Sequence, residues 1–148
     1  MYDRIFLPYK NEPIKLLEIG VHTGGSAAVW EAYFPNAELF GIDILSEDEL
    51  PLKVALPRTL LDVVDQSDTG AVRAYAEKCG PFDIIIDDGS HFVSHQISSF
   101  ETLWPYLNIG GTYVVEDVST SIPGRWASDK YIDASPTCIE YFHALIDT

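Results

Sequence analysis

The sequence predicts an α/β fold with a mostly parallel sheet, and two observations carry that expectation. Short apolar runs alternate with stretches of helical pattern, the arrangement that βαβ units produce. The runs are continuously apolar, as strands covered on both faces are. Nearly every run also ends in at least one carboxylate, which points to a site at the strand ends. The chain has 148 residues, enough for one domain with a real core and too few for two. Residues 1–148 therefore read as a single domain.

The elements follow in order. "IKLLEI" at 14–19 is the first strand and runs into a glycine-rich turn, "GVHTGG". "SAAVWEAYF" is a helix, with Ser26 as its N-cap and Pro35 just past its end. "AELFGIDI" at 37–44 is the second strand. "EDELPLKVALPRT" is a loop with a helical turn, punctuated by Pro51 and Pro57. "LLDVV" at 60–64 is the third strand. "TGAVRAYAEKCG" is a helix stopped at Gly80-Pro81. "FDIIID" at 82–87 is the fourth strand. "SHQISSFETLWPYL" is a helix broken near Trp104-Pro105. "GGTYVVE" at 110–116 is the fifth strand, and a polar loop and one helix, roughly "SPTCIEYFHALI", follow.

Composition narrows the function. Asp plus Glu total 23 against 9 Lys plus Arg, a formal charge of −14. That balance argues against a phosphate-binding groove and hence against a nucleic-acid partner. It suits a metal ion, a cationic cofactor or a merely acidic surface. Cys79 and Cys138 form no zinc pattern and no disulfide framework, so they read as reduced thiols in a cytoplasmic protein. No apolar run reaches membrane length and the N-terminus lacks a signal-peptide layout.

In parallel sheets ligands bind beyond the carboxyl ends of the strands, where strand order reverses. The glycine turn has the spacing E-x-G-x-x-x-G-G, from Glu18 through Gly20 to Gly24 and Gly25, which is not the dinucleotide pattern G-x-G-x-x-G. Gly20 and Gly24 let the backbone approach a ligand closely. Asp43 ends the next strand, where a carboxylate can accept both ribose hydroxyls. The plainer alternative is an ordinary βα turn beside an ordinary acidic strand end.

Asp87 and Asp88 are adjacent, so on an extended chain they point to opposite sides. Glu116-Asp117 ends the fifth strand in the same manner. If strands four and five are neighbours, their tips lie about 5 Å apart. Three carboxylates would then converge, and such a cluster repels itself unless protonated or filled by a cation. Oxygen ligands suit Mg²⁺ or Ca²⁺. The alternative is separate solvated carboxylates, with Asp-Gly making a turn. His91 lies where it could take a proton from a substrate hydroxyl. His95 is one helical turn further and reads as a packed or capping histidine. His22 could touch a ligand from the glycine turn, and His143 reads as structural or solvated.

Together "LLEIGVHTGGS", "FGIDI", "DQSD", "DDGSH", "SFETLWPYLNIGGTYVVED" and "STS" resemble the class I S-adenosylmethionine-dependent methyltransferases. Among these the chain looks most similar to the metal-dependent O-methyltransferases of macrolide sugars, over roughly residues 2–121. The resemblance implies a Rossmann-like sheet of order 3-2-1-4-5 with helices on both faces. It implies S-adenosylmethionine at Glu18, Gly20, Gly24, Gly25, Asp43, Asp65 and Gln66, with Asp87 facing the cofactor or capping the turn, and Mg²⁺ at Asp88, Glu116 and Asp117, with His91 as catalytic base. The implied acceptor is a hydroxyl of a small sugar-bearing or polyketide-like molecule.

Three departures stand out. Val64 precedes "DQSD" where the family has glycine, and Ile122-Pro123 follows "TS" where it has tyrosine. The family's final two strands are missing, so the domain reads as truncated or naturally minimal. Strand five would then be an edge, and exposed edges are sticky. Residues 118–148 are expected to fold over it, or a second copy to pair there. The rival reading is a degenerate, non-catalytic cofactor-binding domain within a larger assembly. A nicotinamide-dependent oxidoreductase is weaker, because the glycine spacing is wrong for it.

Overall fold

The computed structural model describes residues 2–125 and 128–146. Five strands form one sheet: β1 Lys15–Ile19, β2 Glu38–Asp43, β3 Thr59–Val63, β4 Phe82–Asp87 and β5 Leu107–Val115. Their order is β3-β2-β1-β4-β5, and every pairing is parallel. The helices are α1 Tyr2–Phe6, α2 Gly25–Tyr33, α3 Thr69–Cys79, α4 Val93–Leu103, α5 Ser128–Tyr131 and α6 Cys138–Ile146. Among the described residues none is long and apolar enough to cross a membrane.

Strand alternation divides the core into two layers. Leu16, Leu39, Ile84 and Ile86 face one side, where Phe6, Trp30 and Phe34 of the N-terminal segment and α2 cover them. Leu17, Ile19, Ile42 and Ile85 face the other, beneath Val72 and Ala76 of α3 and Leu103 of α4. Both faces are therefore buried, which is why these strands carry no polar alternation.

The helix ends show where local chemistry decided. α2 is not capped by Ser26, as the sequence suggested. Gly24, left-handed at φ 76°, stands at its N-cap, and Ser26 lies inside the first turn. α3 is capped by Asp68, whose Oδ1 accepts the N–H groups of Gly70 and Ala71. Before α6, Thr137 and Glu140 form a reciprocal capping box.

β5 begins at Leu107, three residues before the expected start, and runs through Gly110-Gly111. It is the edge of the sheet. The segment after it flanks this edge instead of pairing with it. Phe142 of α6 packs against Phe100 of α4, with ring centroids 4.9 Å apart, and Phe100 packs on Tyr113 of β5 at 5.2 Å. An apolar groove of about 840 Å³ remains between β5 and α6, lined by Tyr113, Val115, Phe142, Leu145 and Ile146 among others.

Candidate active site

Strand order reverses between β1 and β4, since the chain runs outward through β2 and β3 before returning to β4. At that reversal the carboxyl ends open into a cleft of about 780 Å³, a size that takes a nucleoside-bearing ligand. Unlike the apolar groove beside β5, it is lined with ionisable groups: Asp43, Asp65, Asp88, His91, His95 and Asp117.

The glycine turn forms one wall. Gly20 has φ 87°, and a Cβ there would run into the main chain of Asp88 and Gly89. Its missing side chain lets the turn after β1 seat directly on the turn after β4. Gly25 lines the cleft, whereas Gly24 does not; Gly24 faces Leu52, Val54 and Leu56 of the β2–β3 loop. Asp43 holds this turn in place. Its Oδ2 accepts the N–H groups of Val21 (3.0 Å) and His22 (3.1 Å), and its Oδ1 accepts that of Leu45 (3.1 Å).

Asp65, on the next loop, accepts the N–H and hydroxyl of Ser67 at 2.8 and 2.7 Å. These bonds hold its carboxyl below the usual aspartate range. Gln66 turns inward. Its Nε2 donates to Asp87 Oδ1 (2.7 Å), and its Oε1 accepts the N–H of Ser90 (2.9 Å).

Besides Gly24, three more residues expected to touch a cofactor do not line the cleft: Glu18, Gln66 and Asp87. Glu18 and Asp87 occupy strand positions that alternation sends into the layers beneath the helices. Glu18 is buried and accepts the Trp30 indole N–H at 3.0 Å. Asp87 is fully buried on the opposite face. Burial pushes each carboxyl up to about 7.

Asp88, His91 and Asp117 converge, with ligating atoms all within 4.8 Å of one another. His91 Nε2 stands 3.7 Å from Asp117 Oδ2. Burial raises the Asp88 carboxyl; His91 and His22 pull it down and Asp117 pushes it up. Glu116 is not one of the converging three. Its N–H donates to Asp87 O (2.8 Å) and its carbonyl accepts Gln96 Nε2 (3.0 Å). Burial, then Asp117, raises its carboxyl too.

Backbone strain marks the same place. The non-glycine residues with positive φ among those described are His22 (47°), His91 (62°) and Asp117 (51°), and all three line the cleft. Such conformations are uncommon and gather at functional sites.

His95 is more than a packed histidine. It lines the cleft, and its Nδ1 lies 2.7 Å from Ser90 Oγ. His91 precedes the α4 N-cap Phe92 with left-handed backbone, so the helical spacing of four does not hold between them, and the turn after β4 brings both to the cleft. Ile44 and Phe92 also line the cleft and were not singled out from the sequence. Ile44 is 63% exposed, and an apolar residue directly after the Asp43 strand end was its only trace.

A methyltransferase domain family matches residues 17–118 of this sequence. The chain belongs to that methyltransferase family. It is 37% identical over 155 residues to the 8-demethyl-8-alpha-L-rhamnosyl tetracenomycin-C 2'-O-methyltransferase of Streptomyces olivaceus, covering 99% of this chain and 39% of that protein. It is 38% identical to the mycinamicin VI 2''-O-methyltransferase of Micromonospora griseorubida (99% and 38%) and 41% to the demethylmacrocin O-methyltransferase of Streptomyces fradiae (99% and 38%). The chain thus spans about two-fifths of the length of these relatives. Among solved structures, the mycinamycin-pathway methyltransferase MycE in complex with Mg, SAH and mycinamycin VI superposes with a TM-score of 0.83 at 36% identity, covering 99% of this chain and 41% of that one. Short-chain dehydrogenases at 14% identity and a TM-score of 0.58 share the fold alone.

Proposed function

We propose that this methyltransferase-family chain carries the catalytic domain of an S-adenosylmethionine-dependent, divalent-metal-assisted O-methyltransferase. Its acceptor is a hydroxyl on the sugar of a polyketide-like natural product. The convergence of Asp88, His91 and Asp117 in the same cleft as the glycine turn and Asp43 carries the reading. The residues fit both groups. Two carboxylates from separate strand tips are the anionic oxygen donors that Mg²⁺ takes from a protein, with waters or substrate completing the shell. The glycine turn held by Asp43 and the Asp65 carboxylate line the same cleft and suit a nucleoside-bearing cofactor.

In this reading Asp88 and Asp117 hold the cation and Glu116 stands one residue away to complete the set. When bound, the cation supplies Lewis acidity that lowers the pKa of a neighbouring hydroxyl. His91 accepts the hydroxyl proton at Nε2, the ring nitrogen that faces Asp117. Asp43 would hold the ribose of the cofactor and Asp65 would lie at its adenine end, so that these residues fix the cofactor's position in the cleft. Holding both reactants in attack geometry supplies much of the acceleration. The acceptor class is carried over from relatives named for rhamnosyl and macrolide substrates.

Two further parts belong to this proposal. The two free, buried cysteines suit the reducing cytoplasm. The unpaired edge of β5, beside an apolar groove, supports self-association there. No nucleic-acid partner is proposed for a chain of charge −14.

Calorimetry with S-adenosylhomocysteine, with and without Mg²⁺, tests binding. Transfer of labelled methyl to mycinamicin VI tests activity. Binding together with Mg²⁺-dependent transfer is the expected result. Cofactor binding without transfer to any glycoside makes the chain a non-catalytic piece of a larger assembly. No cofactor binding with Mg²⁺ present ends the proposal.

A further inference from the structure

Two contacts from the segment after β5 meet at His91, and a third falls on the helix that follows it. Thr120 Oγ1 donates to the His91 carbonyl at 3.3 Å. The Tyr131 ring stands edge-on to the His91 ring, centroids 6.3 Å apart at 67°, and tilts against Phe92 at 5.5 Å. Two residues further on, Asp133 clasps the first turn of α4: its Oδ1 accepts the Ser94 N–H at 2.9 Å and its Oδ2 the Ser94 hydroxyl at 2.5 Å.

That clasp is unusual in origin. The N-cap residue of α4, Phe92, offers no side-chain cap. The N–H that a local Ser, Thr or Asp would normally satisfy is met from 39 residues away. A local cap would have stabilised the helix alone. A distant one also fixes where the later segment lies, and hence where Tyr131 lies.

His91 needs outside support. Its backbone is left-handed at φ 62°, a conformation that persists where the surroundings over-determine it. Its ring nitrogens do not provide that. Among the described residues Nδ1 is buried with no hydrogen-bond partner, and Nε2 at 3.7 Å from Asp117 is outside hydrogen-bond range. Ring orientation is left to packing, and among the described residues Tyr131 supplies the aromatic ring that packs on it.

We propose that Tyr131 and Asp133 are positioning residues for His91. The Tyr131 ring fixes the imidazole's orientation toward Asp88 and Asp117, and the bonds from Ser94 to Asp133 keep Tyr131 in place. The inference rests on the reading of His91 as the proton acceptor. Neither Tyr131 nor Asp133 lines the cleft, so their removal acts on the chemical step and not on cofactor binding.

The test uses the whole chain with Tyr131→Ala, Tyr131→Phe and Asp133→Ala. Three quantities are read: kcat and KM for S-adenosylmethionine in transfer to mycinamicin VI, the melting temperature, and the His91 ring resonances in the ligand-free protein. Misplacing a reacting group by about 1 Å can cost roughly a hundredfold in rate. Tyr131→Ala should therefore lower kcat by roughly ten- to a hundredfold with an unchanged KM for the cofactor. Tyr131→Phe, which keeps the ring, should rescue it, and Asp133→Ala should fall between. The His91 signals should move in Tyr131→Ala and stay in Tyr131→Phe. A Tyr131→Ala protein with wild-type kcat, or with lower melting temperature but unmoved His91 signals, overturns the inference. If the wild-type chain transfers no methyl group, the proposed function fails by itself. The resonances then still decide whether Tyr131 positions His91: movement supports it and constancy overturns it.

Discussion

Replacing Gly20 by alanine should damage both the fold and the turn after β4 that carries Asp88. Gly20 sits at φ 87°, and a Cβ there meets the carbonyl of Asp88 and the Cα of Gly89. A side chain beyond Cα in left-handed backbone costs about 1–2 kcal/mol. Forcing atoms into a packed site costs about 1–3 kcal/mol more. The obstruction here is main chain, which cannot rotate aside as a side-chain tip can. The sum, roughly 2–5 kcal/mol, corresponds to a melting temperature lower by roughly 5–15 °C for a domain of this size. Gly124 is the matched control. Its φ is 74°, but among the described residues nothing lies within 4 Å of a Cβ built there. Gly124→Ala should therefore show only the conformational cost, about 1–2 kcal/mol. Urea unfolding of both variants gives the difference, and Mg²⁺ titration reports on Asp88. If Gly20→Ala loses no more stability than Gly124→Ala and binds Mg²⁺ normally, the close seating of the two turns is refuted.

Gln66→Ala leaves Asp87 Oδ1 and the Ser90 N–H without their buried partner, so urea unfolding should show a loss of about 2–3 kcal/mol; a loss near zero would contradict the bridge. Glu18 and Asp87 have carboxyls raised by burial to about 7 from 4.5 and 3.8. Between those values the native state holds more protons than the unfolded chain, so their contribution is full below about pH 4 and lost as pH rises through about 7. Glu18→Gln and Asp87→Asn should each make the urea midpoint less pH-dependent across that window, and unchanged slopes in both would speak against buried neutral carboxyls. Asp88→Asn and Asp117→Asn should each weaken Mg²⁺ binding at least about tenfold, roughly 1.4 kcal/mol, by calorimetry; Asp83→Asn, remote from the cleft and bonded to Lys15 and Asn108, should leave it unchanged.

The fold was legible because its three central strands, β1, β2 and β4, are buried on both faces. "LLEI" and "FDIII" have no polar alternation, as strands covered by helices on both sides do not, whereas the residues of the edge strands β3 and β5 are half-buried or exposed. Asp88, His91 and Asp117 were legible because strand tips neighbouring in space carried them. The directions of individual side chains were harder to read. Glu18 sits two residues before the glycine turn, yet strand alternation sends it to Trp30. Gln66 follows Asp65 directly, yet a buried partner 21 residues later, Asp87, draws it inward. Asp133 carried no signal at all, since its role depends on a helix end 39 residues upstream. Spacing along the chain reports which residues share an element; it is silent on contacts that only the tertiary fold creates.

The Gln66 bridge sets a rule for anyone re-engineering this cleft. One amide spans two loops: one oxygen-bearing end takes the Ser90 amide, whose residue leans on His95, and the other end takes the Asp87 carboxylate beneath Asp88. The cleft walls after β3 and after β4 are therefore mechanically yoked. Transplanting the loop after β3 from a relative would disturb the opposite wall unless Gln66, Asp87, Gly89 and Ser90 travel together as a single cassette.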